Sequence, residues 1–202
     1  SDLATRYARI PVFLLVLLGL FVNGVWGANI LFVTAEPADP EDAPILAFLE
    51  GLGHTVTIID DGENEPTTEA AAAAADLVFI SESVGSGGIR NEITEIATPM
   101  IITEAWAWDE MGLTEGAGGG LEVATTDIKI VSPDHFLAAG LSGTVPVLTG
   151  IGEVSVARFS TTVAGAEATV IATATLSDGQ TYDVLYVYEQ GAQLAIAPAD
   201  GS

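Results

Sequence analysis

The chain has 202 residues, with 28 acidic residues against 5 lysines and arginines, a formal net charge of −23 and no cysteine. This length favours one domain, and the hydrophobic fraction of 49% is ordinary for a folded core. Binding to nucleic acid or to an anionic membrane surface is disfavoured, because both require clusters of Lys and Arg. The lack of cysteine excludes thiol nucleophiles, thiolate metal ligands and disulfides.

The N-terminus has the layout of an export signal. Two arginines precede an apolar run from Ile10 to Val22, and small residues occupy the −3 and −1 positions, Val25 and Gly27, of a cut after Gly27. The run is shorter than the ~20 residues that span a bilayer. We therefore predict a signal peptide over residues 1–27, a single domain over residues 28–202, and a secreted, periplasmic or cell-surface location. An uncleaved signal anchor is the alternative.

The first half of the remaining chain alternates strands with helices. Continuous apolar runs, which are typical of strands buried on both faces, predict strands at Asn29–Thr34, His54–Ile59, Leu77–Ile80 and Met100–Thr103. Helical periodicity predicts helices at Glu41–Leu52, Thr67–Ala75 and Ile89–Ala97. We expect Asp39 to cap the first helix and Thr67 or Thr68 the second. This alternation predicts an α/β fold with a doubly wound, mostly parallel sheet.

The second half favours shorter strands and an antiparallel extension. Segments rich in Val, Ile, Thr and Tyr predict strands at Leu121–Val131, Val145–Thr149, Val154–Phe159, Ala168–Ala174 and Tyr182–Glu189. Residues 177–180 predict a hairpin turn between the last two strands. Only three clear helices precede the end of the chain, so we expect a further strand and helix beyond Ser202 to complete the sheet.

Four segments carry a resemblance to a known family: Ile30–Thr34, Leu49–Val56, Ala75–Ile80 and Pro133–Leu141. Their layout resembles the flavodoxin-like domain of the class I glutamine amidotransferase superfamily, and more closely its ThuA-like branch. The last segment is similar to the His-Pro-small-x-x-Gly-Leu element of ThuA-like proteins, with Phe136 where proline is usual. The resemblance implies a flavodoxin-like fold and, loosely, a sugar-related function.

The amidotransferases carry a nucleophilic cysteine on a sharp turn between a strand and a helix. The corresponding turn here falls near Glu104–Trp106 and holds no cysteine, which excludes thiol-based glutaminase chemistry.

The loops at the carboxyl ends of the parallel strands are the expected ligand sites. These loops are Glu36–Asp39, Asp60–Glu65, Ser81–Gly88, Glu104–Asp109 and the segment after Val131. The Ser81–Gly88 loop combines three serines, Ser81, Ser83 and Ser86, with three glycines. Such a loop can form a nest of backbone N–H groups for an anion or a sugar hydroxyl. The alternative is a loop that only caps the following helix. Glu36, which follows the first strand, is a further candidate ligand contact.

The loop after the fourth strand combines Glu104 with two indoles, Trp106 and Trp108. Tryptophan and carboxylate together suit stacking on a sugar ring with hydrogen bonds to its hydroxyls, although they also suit tight packing of a loop. Two tryptophans two positions apart point in opposite directions on a strand, so we expect at most one to face a cleft.

The residue patterns that would indicate catalysis or metal binding are less specific. His135 could form a hydrolase site with Ser83 or Glu104, but no Gly-x-Ser-x-Gly elbow is present, and closing a local turn is the simpler role. Asp60 and Asp61 lie in an acidic loop that could take Ca²⁺, although acidic runs are usually solvated.

The sequence therefore predicts a secreted, non-catalytic α/β module without a cofactor, which binds a small polar ligand such as carbohydrate or serves as a recognition part of a larger exported protein. The alternatives are a hydrolase using Ser83 or Glu104 with His135, and a structural surface or filament component. Self-association and attached domains remain open.

Overall fold

The structure is a computed structural model that describes residues 27–37, 39–89, 93–114, 120–147, 152–157, 167–175 and 179–195. Its strands are β1 Asn29–Thr34, β2 Thr55–Asp60, β3 Leu77–Ile80, β4 Met100–Ile102, β5 Gly120–Thr125, β6 Asp127–Ile130, β7 Gly143–Pro146, β8 Gly152–Ala157, β9 Ala168–Thr175 and β10 Thr181–Tyr188. Its helices are α1 Ala43–Gly51, α2 Glu65–Ala74 and α3 Ser86–Ile89, with 3₁₀ turns at Ala105–Ala107 and Phe136–Ala138. No helix in the described part of the chain is long and apolar enough to cross a membrane.

The first four strands form one parallel sheet in the order β2-β1-β3-β4, which confirms the predicted parallel arrangement. One face buries Leu31 and Val33 against α2 and α3. The other face buries Ile30 and Phe32 against α1. Because both faces carry helices, the central strands β1 and β3 contain uninterrupted apolar runs, and this is the pattern that the sequence showed.

The second half of the chain is antiparallel, as predicted, but its strands form sheets separate from the parallel sheet and do not extend it. One has the order β10-β9-β6-β7, and β5 pairs with β8. β9 and β10 form the expected antiparallel pair, although residues 177 and 178 of the predicted turn lie outside the described residues. The single strand predicted over Leu121–Val131 is wrong, because Thr126 divides it into β5 and β6, which join different sheets.

Two predicted helix starts are wrong. α1 begins two residues later than expected, and the Asp39 carboxylate instead accepts a hydrogen bond from the Glu41 N–H, in the turn before the helix. α2 begins at Glu65 because Asn64 caps it, its side chain accepting from the Thr67 N–H. Asn is as good a cap as Thr, and its position ahead of Pro66 in the first turn decided the start.

The helix predicted over Ile89–Ala97 is wrong in its described part. The helical residues are Ser86–Ile89, residues 93–95 form a turn, and residues 90–92 lie outside the described residues. The apolar spacing was nevertheless informative, since Ile89 and Ile93 both enter the core. β-branched side chains favour helices weakly, so burial of these isoleucines does not require a helix.

Candidate functional site

A buried carboxylate accepts hydrogen bonds from three hydroxyl groups at the carboxyl edge of the parallel sheet. Asp42 is 4% exposed and stands at the start of α1. Its Oδ2 accepts from Thr34 Oγ1 at 2.6 Å and from Ser83 Oγ at 2.8 Å, and its Oδ1 accepts from Ser81 Oγ. Three hydroxyl donors therefore satisfy a charge that burial would otherwise penalise heavily.

The topology explains why these groups meet. Thr34 ends β1, and Ser81 directly follows β3, the neighbouring strand. The connection after β1 leads to β2 on one side, whereas the connection after β3 leads to β4 on the other. Open α/β sheets bind ligands at the crevice where the strand order reverses in this way. The hydroxyl–carboxylate cluster lies at that crevice.

The sequence predicted Ser81 and Ser83 as site residues but missed Asp42 and Thr34. Asp42 precedes a helix and therefore has the sequence pattern of an ordinary N-cap, yet its side chain makes no capping hydrogen bond. Of the other candidates, Glu36 is exposed just after β1, and Ser86 is the first residue of α3.

A carboxylate of the protein itself, that of Asp61, binds to the Ser81–Gly88 loop. The Gly85 N–H donates to Asp61 Oδ2 at 2.8 Å. A Cβ placed on Gly88 would lie 2.9 Å from the Asp61 carboxylate, so glycine is needed for this approach. The nest predicted for a ligand is thus occupied, at least at Gly85, by a side chain that follows β2.

The two acidic candidates for a metal site have local partners. Asp60 Oδ1 accepts from the Gly62 N–H at 2.8 Å, which closes a turn, and Asp61 holds Gly85. Within the described residues, no group of three or more His, Cys, Asp or Glu side chains is arranged to hold a metal ion.

The loop Glu104–Asp109 after β4, called the tryptophan loop below, places its two indoles in different environments. Trp106 is 44% exposed, whereas Trp108 is 6% exposed and donates from Nε1 to the Ile102 carbonyl at 3.3 Å. The segment is a 3₁₀ turn and not a strand. With about three residues per turn, side chains two positions apart diverge by roughly 120°, so burying Trp108 turns Trp106 outward. Glu104 fixes the start of the turn, because its Oε1 accepts from the Trp106 N–H at 2.7 Å.

The histidines have structural partners. His135 Nδ1 accepts from the Leu137 N–H at 3.2 Å, which assigns the ring proton of the neutral form to Nε2, 3.4 Å from Glu189 Oε1. Ser83 Oγ and Glu104 make the contacts already described, so the structure brings neither of them to a ring nitrogen of His135. His54 Nδ1 accepts from the Ala28 N–H at the start of β1.

A cluster of buried titratable groups on β10 was not predicted. Burial raises the pKa of Asp183 to about 6. Burial, together with the nearby Tyr188 and Asp183, raises the pKa of Tyr186 well above its usual value. The Tyr186 ring meets the Trp108 ring edge-on, with centroids 5.6 Å apart, and its buried hydroxyl has no hydrogen-bond partner among the described residues. β10 therefore reaches the tryptophan loop of the parallel sheet.

The described residues thus define an α/β protein with a polar cluster and an exposed indole at the carboxyl edge of its parallel sheet. No family model matches the chain. The chain is similar to a UDP-N-acetylmuramoylalanine–D-glutamate ligase of Streptomyces avermitilis, with 29% identity over an alignment of 177 residues; the match covers 83% of this chain. The chain spans 36% of the length of that ligase.

Proposed function

We propose that this chain is an exported, non-catalytic module that binds a neutral, hydroxyl-rich small molecule, with carbohydrate as the favoured class. The observation that carries the proposal is the exposed indole of Trp106 at the carboxyl edge of the parallel sheet. An indole with one free face can stack on the apolar face of a sugar ring.

Neighbouring polar groups support a sugar ligand. Ser83 is half-buried, Glu36 is exposed, and each follows a strand of the same sheet. Thr34 ends β1 and Glu104 follows β4. Only β3 lies between these two strands, which places their ends about 10 Å apart at the usual strand spacing. The four loops at these strand ends contain acidic residues and no Lys or Arg, which favours neutral ligands over phosphates and uronic acids.

The hydrogen bonds of Ser83 and His135, the residues of the alternative hydrolase site, support binding over catalysis. In a Ser–His hydrolase the serine hydroxyl must reach a histidine nitrogen. Ser83 instead donates to Asp42, and His135 is held by the Leu137 N–H and by Glu189. The hydrolase alternative would require both residues to exchange their partners.

We also propose that the parallel sheet is flavodoxin-like and related to the ThuA-like branch. The strand order β2-β1-β3-β4 supports this, because flavodoxin-like sheets begin with the same order. We propose as well that the chain is exported. If the leader is removed after Gly27, mass spectrometry of the secreted chain will give Ala28 as its first residue, and an intact leader would contradict the predicted cleavage.

The binding proposal is tested with Trp106→Ala in the full chain. The name of the similar ligase refers to an N-acetylmuramoyl sugar, so the probes are cellohexaose and its N-acetylglucosamine counterpart, chitohexaose. We expect wild-type binding to one of them by isothermal titration calorimetry and at least a tenfold weaker binding by the variant, about 1.4 kcal/mol.

Phe136→Ala is the matched control, because Phe136 is also an exposed aromatic residue but follows β6 of the antiparallel sheet. Equal affinities of the wild-type and Trp106→Ala chains would contradict the proposal, as would an equal loss in the control.

A further inference from the structure

The antiparallel half of the chain contacts the tryptophan loop and stabilises its position. The Tyr188 hydroxyl, on β10, donates to the Leu113 carbonyl at 3.0 Å. The backbone N–H of Ala195 also hydrogen-bonds to Tyr188, which is partly buried. Tyr186, two residues earlier on the same strand, packs edge-on against Trp108. Two tyrosines of β10 therefore hold the loop at its buried side.

Backbone hydrogen bonds connect the Tyr188 contact at Leu113 to the turn that holds the exposed Trp106 indole. The Leu113 N–H donates to the Trp108 carbonyl at 2.7 Å, and the Trp108 N–H donates to the Ala105 carbonyl at 3.4 Å. Ala105 begins the 3₁₀ turn that presents Trp106. Glu104 fixes one end of this segment and Tyr188 the other, so the direction of the Trp106 indole depends on both ends.

We propose that Tyr188 is a positioning residue for the candidate site: it holds the loop from Ala105 to Leu113 so that the Trp106 indole is preorganised for a ligand. This inference rests on the proposed function, and it assigns the antiparallel sheet a role in that site. A preorganised side chain avoids the cost of ordering on binding, and loss of one hydrogen bond is worth about 1 kcal/mol, or roughly fivefold in affinity.

The test uses the full chain labelled with 5-fluorotryptophan. The ¹⁹F resonance of Trp106 is assigned by its loss in Trp106→Phe. We expect Tyr188→Phe, which removes only a hydroxyl, to shift or broaden the Trp106 resonance without ligand and to weaken binding of the sugar hexamer about fivefold. Tyr182→Phe is the matched control, because it removes the same group near the opposite end of β10.

An unchanged Trp106 resonance in Tyr188→Phe would overturn the positioning role, even if the wild-type chain binds sugar. The same change in Tyr182→Phe would also overturn it, because the effect would then be a general response of β10. Failure of the wild-type chain to bind either sugar would instead refute the proposed function, and the ligand-free resonance distinguishes the two failures.

Discussion

Replacing Asp183 with asparagine measures the electrostatic cost of burying a carboxyl group in the antiparallel sheet. Asp183 is 6% exposed, and burial raises its pKa from 3.8 to about 6. A folded-state pKa above the unfolded value means that the folded chain binds the proton more tightly. The ionised carboxylate therefore destabilises the fold, with no penalty below pH 3.8, a growing penalty as pH rises towards 6, and the full penalty above pH 6.

The size of the penalty follows from the shift. A rise of about two pKa units corresponds to an upper bound of about 3 kcal/mol at neutral pH. Water penetration and local relaxation around a buried charge reduce the expected value to about 1–2 kcal/mol. Asn has nearly the same shape and cannot ionise, so Asp183→Asn should be more stable than the wild-type chain at pH 7.5 by this amount, and the difference should vanish near pH 4.

Urea unfolding followed by circular dichroism between pH 4 and pH 8 gives the free energy of unfolding of both chains. The difference between them is the relevant quantity, because the other carboxyl groups titrate in both. Asp134→Asn is the control, since Asp134 is exposed. A difference that stays constant from pH 4 to pH 7.5 would refute the reasoning, as would an Asn variant that is less stable at pH 7.5.

Two further substitutions test buried polar groups. Asp42→Ala should lower the free energy of unfolding by about 2–4 kcal/mol, because the buried Ser81 hydroxyl would lose its acceptor and the buried Thr34 hydroxyl would keep the Glu36 carbonyl but lose its shortest hydrogen bond. In the same urea assay Asp39→Ala, at a half-buried position whose hydrogen bond to the Glu41 N–H is exposed, should cost less than about 1 kcal/mol. Equal losses in the two variants would contradict the stabilising role of the Asp42 cluster. Tyr186→Phe should raise the free energy of unfolding by about 1 kcal/mol, since it removes a buried hydroxyl without a partner and keeps the ring against Trp108. A loss of stability would show that this hydroxyl is satisfied in solution.

Local sequence patterns predicted the parallel sheet well because its strands are buried on both faces. β1 and β3 were predicted with correct bounds, since a continuous apolar run ends where the chain reaches the polar edge. Helix starts were less accurate. Several residues before α1 and α2 can cap, and the choice among them depends on contacts that periodicity does not record.

The candidate site was predicted only in part, because its centre is a tertiary contact. Ser81 and Ser83 could be selected from their place after a strand. Asp42 could not, since its partners Thr34 and Ser81 are 8 and 39 residues away in sequence. The tryptophans show a related limit: treating them as strand residues gave the correct expectation that they diverge, but only the 3₁₀ turn and its contact with Tyr186 determine which one is buried.

The chemistry of the Asp42 cluster has a consequence for the environments in which this edge of the sheet can keep its shape. Its partners are the hydroxyls of Thr34, Ser81 and Ser83, which carry no charge. Dissolved ions weaken attraction between separated charges, but they have little effect on short, buried hydrogen bonds of this kind. Dilute and strongly saline media should therefore leave the arrangement of these four side chains alike, even though they change the mutual repulsion of the many surface carboxylates.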